Sequence, residues 1–265
     1  MKDLVIITGA TGGMGYETAK SLSKDFRILM LDLNEELLKK ASDELNADYL
    51  KFDITNDSDI NNLVEYVKEN NGFKHLIHFA GVSESMGNPK LIYEINLVGT
   101  KKLLDALFDH ILPGDVIINT SSVTAYTTPI DDKLIPILKE PLKADFLETI
   151  LKETPNSALA YGWSKIGVIE LTKEEADKFG AKSARVISIS PGAIKTPMLV
   201  AEMEKNKDLI NFITEVSPVK RMGETEDIVN LVEFLISDKA SFITGTDILI
   251  DGGVMKHLLA ANYVG

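Results

Sequence analysis

Short apolar runs alternate with longer amphipathic stretches along the whole chain. The runs at 4–8, 27–31, 48–52, 75–79, 115–120, 185–190 and 247–250 are predicted strands. Between them, apolar residues recur at helical spacing over 14–23, 35–45, 58–69, 95–108, 163–178 and 225–236. Strands that are apolar throughout, each followed by a helix, imply an α/β fold with a parallel sheet covered on both faces. No internal repeat or low-complexity tract interrupts the order, so one domain is expected over residues 1–265.

Two segments break the rhythm. Residues 123–158 hold Pro129, Pro136, Pro141 and Pro155 among scattered apolar positions, and Leu142, Phe146, Leu147, Ile150 and Leu151 predict a short amphipathic helix there. Residues 196–217 carry Met198, Leu199, Met203, Leu209 and Phe212. Each segment reads either as a surface insertion with buried apolar contacts or as the wall of a substrate site.

Charge narrows the partners. With 40 acidic against 28 basic residues the net charge is −12, and such a surface repels the phosphates of nucleic acids. No apolar run is long enough to span a bilayer. Lys2 and Asp3 lead directly into Leu4-Val5-Ile6-Ile7, which is too short for a signal-peptide core and reads as a buried strand. The chain has no cysteine, which removes disulfides, thiolate nucleophiles and Cys-ligated zinc. A cytoplasmic enzyme without a metal is expected.

The first predicted strand ends in Thr8-Gly9-Ala10-Thr11-Gly12-Gly13-Met14-Gly15, and a helix follows. Glycines allow a tight turn and close backbone approach, while a helix N-terminus offers free N–H groups and the positive end of its dipole. Together they suit a pyrophosphate. The turn lacks the Gly-Lys-Ser/Thr ending of a nucleoside triphosphate loop. Asp32, closing the second strand, is placed to accept hydrogen bonds from an adenosine ribose and to repel a phosphate on it. No Arg or Lys follows before Lys39, so NAD is expected over NADP. Asp32 also reads as a helix-leading residue, and Asp53 either bonds an adenine amino group or caps the next helix.

Tyr161 and Lys165 stand four residues apart at the start of a helical pattern, on one face. A free phenol, with a pKa of about 10, is a poor base near neutrality; a nearby ammonium lowers that value. Ser121 and Ser122 close the strand at 115–120, where ligands gather in doubly wound sheets.

This combination resembles the classical branch of the short-chain dehydrogenase/reductase family over nearly the whole chain. Thr8-Gly9-xxx-Gly13-x-Gly15 matches its cofactor turn, and Asn96, Ser122, Tyr161 and Lys165 fall on its catalytic tetrad. Ser122 is chosen over Ser121 because the family serine immediately precedes a residue like Val123. Pro191-Gly192-Ala193-Ile194-Lys195-Thr196 resembles its nicotinamide loop, and Asp251-Gly252-Gly253 the end of its last strand. The resemblance implies a single-domain, Rossmann-like doubly wound sheet and hydride transfer between NAD and a carbinol or carbonyl carbon. Implied cofactor contacts are Gly9, Thr11, Gly12, Gly13, Met14, Gly15, Asp32, Leu33, Asp53, Ile54, Ala80 and Gly81. Tyr161, Lys165, Pro191, Gly192, Ile194 and Thr196 complete that set. In the implied roles Tyr161 exchanges the proton, Lys165 lowers the tyrosine pKa and binds the nicotinamide ribose, Ser122 orients the carbonyl, and Asn96 supports a proton-relaying water.

The pattern departs from the family in two places. His78-Phe79-Ala80-Gly81 stands where Asn-Asn-Ala-Gly is usual, and His78 reads as a packed strand residue. The stretch between Ser122 and Tyr161 is long, which resembles the bacterial 3α-hydroxysteroid dehydrogenase/carbonyl reductase subgroup. That likeness implies a hydrophobic alcohol or ketone such as a hydroxysteroid or bile acid. Alternatives are a reductase for a sugar, small ketone or acyl thioester, and a catalytically silent NAD-binding regulator. Many members form tetramers through the helices that bear the Asn96 and Tyr161 equivalents. An insertion over that face favours a homodimer through the last helix and strand, with a homotetramer as the other expectation.

Overall fold

The computed structural model describes residues 2–196, 199 and 214–257. Its strands are β1 (Leu4–Thr8), β2 (Arg27–Asp32), β3 (Asp48–Lys51), β4 (His75–His78), β5 (Val116–Thr120), β6 (Arg185–Pro191) and β7 (Asp247–Ile250). They form one sheet in the order β3-β2-β1-β4-β5-β6-β7, and every pairing is parallel. The order reverses direction between β1 and β4, which opens a crevice beyond Thr8 and His78 where doubly wound sheets bind ligands.

Strand periodicity divides the core. Val5, Ile7, Ile28, Met30, Ile77, Ile118, Ile187 and Ile189 face one side and pack on α1 (Gly13–Leu22), α2 (Glu35–Leu45) and the final helix. Ile6, Leu29, Leu31, Leu76, Ile117 and Val186 face the other side. There they meet α3 (Asp57–Glu69) and residues of the elements between β4 and β6. With apolar residues on both faces the strands read as continuous hydrophobic runs, which is why they were legible.

The helix expected at 95–108 is longer and interrupted. Asn88 caps α4 (Pro89–Tyr93), accepting from the Leu91 N–H at 3.2 Å, with Pro89 at the first helical position. Over Glu94–Gly99 the ladder widens to a π turn, and α5 (Thr100–Phe108) continues from it. The apolar pattern alone marked the second half and missed the Asn-Pro start.

The insertion folds as α6 (Thr124–Thr127), a 3₁₀ turn at Asp132–Leu134, α7 (Ile135–Leu138) and α8 (Phe146–Glu153). Phe146 meets Tyr93 edge-on, with ring centroids 6.0 Å apart, and the Tyr93 hydroxyl lies 3.1 Å from Thr154 Oγ1. Leu134, Leu138, Phe146 and Ile150 are buried in the same core as the sheet, whereas Leu142 is exposed. Next comes α9 (Ser157–Gly180), capped by Asn156, which accepts from the Leu159 N–H at 2.9 Å. It therefore starts six residues before the expected position, and Tyr161 sits in its second turn. Lys139 reaches α9 through Glu174 at 2.7 Å and Glu170 at 3.5 Å. Before β7 comes α10 (Thr225–Ile236), and its Ile228, Val232 and Leu235 join the core beside α1. Met198, Met203, Leu209 and Phe212, the expected apolar residues of the 196–217 loop, lie outside the described residues.

Removing a buried aromatic ring leaves a cavity that the surroundings refill only in part. Phe146→Ala should lower unfolding stability by about 3–5 kcal/mol in chemical denaturation. Leu142→Ala, in the same insertion but 43% exposed, should change it by no more than about 0.5 kcal/mol.

Candidate active site

The turn after β1 brings three backbones together. Gly9 has φ +64°, and a Cβ there would stand 2.9 Å from the Ala80 nitrogen. A Cβ at Gly15 would press into the Gly9 peptide. Gly12 is the N-cap of α1, and no side chain caps that terminus. The first turn, with Gly13 and Met14, carries no acidic residue. The N–H groups at this helix start are thus left to an anion, which fits a pyrophosphate.

Asp32 is held at the mouth of this turn. Its Oδ2 accepts from Thr11 twice, from the N–H at 3.0 Å and from the hydroxyl at 2.7 Å. The cap of α2 is Asn34, which accepts from the Leu37 N–H at 3.0 Å, so Asp32 is not spent on starting that helix. The exposed Leu33 lies between them. Asp53 likewise leaves capping to a neighbour, since Asn56 caps α3. Asp53 Oδ1 instead accepts from the N–H and the hydroxyl of Thr55, at 2.9 and 2.7 Å. The buried Ile54 packs against Gly99.

Asn96, Ser122, Tyr161 and Lys165 gather around the ends of β4 and β5. Lys165 is buried, and its Nζ donates to the Thr120 carbonyl at 2.9 Å. Desolvation pushes this ammonium down to about 8. The same Nζ lies 5.8 Å from the centroid of the Tyr161 ring. Burial pushes the Tyr161 phenol above its ordinary value and the Glu84 carboxylate adds to this, while the Ser122 hydroxyl acts in the opposite direction. In this geometry burial sets the direction, and the phenol stands above its ordinary value.

The two serines separate cleanly. Ser121 Oγ donates to the Lys165 carbonyl at 2.8 Å and so fixes α9 against β5. Ser122 Oγ lies 3.0 Å from Thr124 Oγ1 and accepts from the Thr124 N–H at 3.2 Å. Both amide groups of Asn96 are engaged. Oδ1 accepts from the Val82 N–H at 2.8 Å, and Nδ2 donates to the Val82 carbonyl at 2.9 Å and to Ser164 Oγ at 3.1 Å. Ser164 in turn donates to the Tyr161 carbonyl at 2.7 Å. Ala80-Gly81 carries the backbone past this group: a Cβ at Gly81 would stand 3.2 Å from Asn96 Oδ1 and 3.3 Å from Lys165 Nζ.

His78 is fully buried between β1 and α5, with Nδ1 2.7 Å from Thr8 Oγ1 and Nε2 2.9 Å from Thr100 Oγ1. Burial, reinforced by the Lys165 charge, pushes it down to about 3, so the ring is neutral.

The remaining wall is the 191–196 loop. The Pro191 carbonyl accepts from the Val123 N–H at 3.0 Å. A Cβ at Gly192 would stand 2.8 Å from the Asp251 Cα, so this glycine lets the two strand exits touch. Ile194 bridges to Gly223, and the Thr196 N–H bonds the Ile194 carbonyl at 2.8 Å. Asp251 closes its own turn, accepting from Gly253 and Met255 at 2.8 and 2.6 Å. Sequence reasoning did not find Glu84, Ser164 or Val82. Ser164 lies one helical turn after Tyr161 and was open to that argument; Glu84 and Val82 reach the site through loop geometry that no spacing encodes.

Comparison with known proteins gives the family. A family model described as short chain dehydrogenase matches residues 3–131, and one described as enoyl-(acyl carrier protein) reductase matches residues 148–255. A short-chain dehydrogenase/reductase of Botryotinia fuckeliana is 30% identical, with 94% of this chain and 95% of that protein covered. Among solved structures, a 4-hydroxyisoleucine dehydrogenase complexed with NADH is 29% identical over 96% of this chain and 99% of that one, with a TM-score of 0.77. The 3-alpha-hydroxysteroid dehydrogenase of Pseudomonas sp. B-0831, also with NADH, shares the fold at a TM-score of 0.79 and 24% identity, covering 97% of this chain and 98% of that one. The chain belongs to the short-chain dehydrogenase/reductase family and is an NAD(P)-dependent oxidoreductase acting on alcohols and ketones.

Proposed function

We propose that the protein interconverts a secondary alcohol and a ketone using NAD, with Tyr161 as the proton donor and acceptor. The observation that carries this reading is the grouping of Tyr161, Ser122 and the buried Lys165 ammonium at the sheet's carboxyl edge. When bound, the nicotinamide cofactor supplies or takes up the hydride. Gly9, Thr11, Gly12, Gly13, Met14 and Gly15 form the pyrophosphate cradle, with Ala80 and Gly81 as the close backbone wall. Pro191, Gly192, Ile194 and Thr196 face the carboxamide end. Ser122 holds the substrate oxygen beside the phenol, and Lys165 keeps a positive charge near it. Asn96 supports the path by which the proton reaches solvent.

Asp32 supports NAD over NADP, because a carboxylate fixed by Thr11 at the ribose end repels an added phosphate. For the substrate, the long insertion supports a hydroxysteroid or bile acid. Yet its Phe146 and Ile150 are committed to the core and are not free to line a substrate site. Turnover of ketosteroids against sugars, small ketones and acyl thioesters, followed by NADH absorbance, tests this class. Activity confined to the latter three would overturn it.

For assembly we infer a homodimer, because the insertion lies over α4 and α9.

Tyr161→Phe removes one oxygen and should cut turnover by about a hundredfold to ten-thousandfold, with NADH affinity unchanged by titration. Wild-type turnover by that variant would defeat the assignment. Asp32→Asn should move the NADH-to-NADPH preference, measured as a ratio of kcat/KM values, by about tenfold or more toward NADPH. Light scattering should give twice the 29.1 kDa chain mass, and a mass of four chains would count against the dimer.

A further inference from the structure

We propose that His78 is a positioning residue for Asn96, acting as a neutral Nε2–H imidazole that ties the cofactor turn to the Asn96 carbonyl through Thr100. The direction of every hydrogen bond follows from which groups can only accept. A carbonyl oxygen only accepts, so the Thr100 hydroxyl must donate to the Asn96 carbonyl, 2.8 Å away. That commits the only hydrogen on Thr100 Oγ1. The oxygen must then accept from His78 Nε2 at 2.9 Å, which places the proton on that nitrogen. His78 Nδ1 is left as an acceptor and takes the hydroxyl hydrogen of Thr8 at 2.7 Å. Thr8 Oγ1 in turn accepts from the Ala80 N–H at 3.1 Å.

The result is one unbroken chain of donors: Ala80 N–H to Thr8, Thr8 to His78, His78 to Thr100, and Thr100 to Asn96. No member has an alternative orientation that satisfies all the others. One end is the backbone that meets Gly9 in the cofactor turn. The other is the Asn96 carbonyl within the π turn, where the Thr100 N–H bonds the Leu97 carbonyl while its hydroxyl bonds that of Asn96. The Asn96 side chain is already engaged by Val82 and Ser164, so its carbonyl is the part that His78 and Thr100 orient. An imidazole suits the span. It carries a donor and an acceptor on separate nitrogens of a rigid ring.

This inference rests on the proposed role of Asn96 in the proton path. Two measurements separate the two readings. In the ¹⁵N-labelled enzyme with NAD present, His78 should show a protonated Nε2 and a bare Nδ1 at neutral pH. An Nδ1–H tautomer or an imidazolium would overturn the chain without reference to activity, and this measurement needs no variant to fold. Thr100→Val should lower kcat about tenfold, the size of one ordinary hydrogen bond, and raise the solvent deuterium isotope effect, with NADH affinity within about twofold. Thr100→Ser, which keeps the hydroxyl, should recover kcat. Wild-type kcat in Thr100→Val would overturn the positioning role even where Tyr161→Phe is inactive. Full turnover by Tyr161→Phe would instead defeat the catalytic reading and leave the tautomer standing.

Discussion

A buried ammonium sets the terms for the rest of the site. Lys165 has its charge below the surface, where desolvation works against it, and its Nζ donates to the Thr120 carbonyl. Keeping it there requires the end of β5 and the third turn of α9 to hold a fixed separation. Ser121 supplies that link by binding the Lys165 carbonyl from the same strand exit. Gly81 supplies room on the opposite side, because any side chain there would crowd both Nζ and Asn96. Tyr161, one helical turn back, inherits its position from the same clamp, and the phenol is raised by the burial that depresses the lysine.

The glycine turn after β1 obeys a different constraint, namely backbone proximity. Gly9 and Ala80 approach across the β1–β4 crevice, and Gly15 closes on Gly9 from the first turn of α1. The two constraints meet at Ala80-Gly81, whose first residue faces the turn and whose second faces Lys165. The loss of the amides at His78 and Phe79 therefore leaves the close approaches intact. Backbone geometry and not the side chains before it defines that wall.

Most of this was legible where a local rule governs. Strands buried on both faces announce themselves as apolar runs, and a glycine turn between a strand and a helix has few other uses. Tyr161 and Lys165 are suggested by helical spacing, Asn96 and Ser122 only by the family likeness, and the fold brings the four together. What escaped depends on contacts distant in sequence or on the caps. Asn88-Pro89 and Asn156 move the starts of α4 and α9 well ahead of the apolar pattern. The π turn at Glu94–Gly99 has no periodic signature, because it is a defect in the period. His78 looked like a packed strand histidine, and it is packed. Its hydrogen-bonded chain emerges only when β1, β4 and α5 are placed together.

The insertion behaves as a structural graft and not as an appendage. Its ring at Phe146 closes over Tyr93, its Pro129 carbonyl accepts from the Trp163 indole N–H at 2.8 Å, and Thr128 fills the space beside Gly162. Gly162 and Trp163 are the residues directly after Tyr161. Deleting this segment would therefore strip the outer surface from α4 and the Tyr161 turn of α9 together. A variant without it would need new residues on both helices at once, so the length of the segment is bound to the sequence of the helices beneath it.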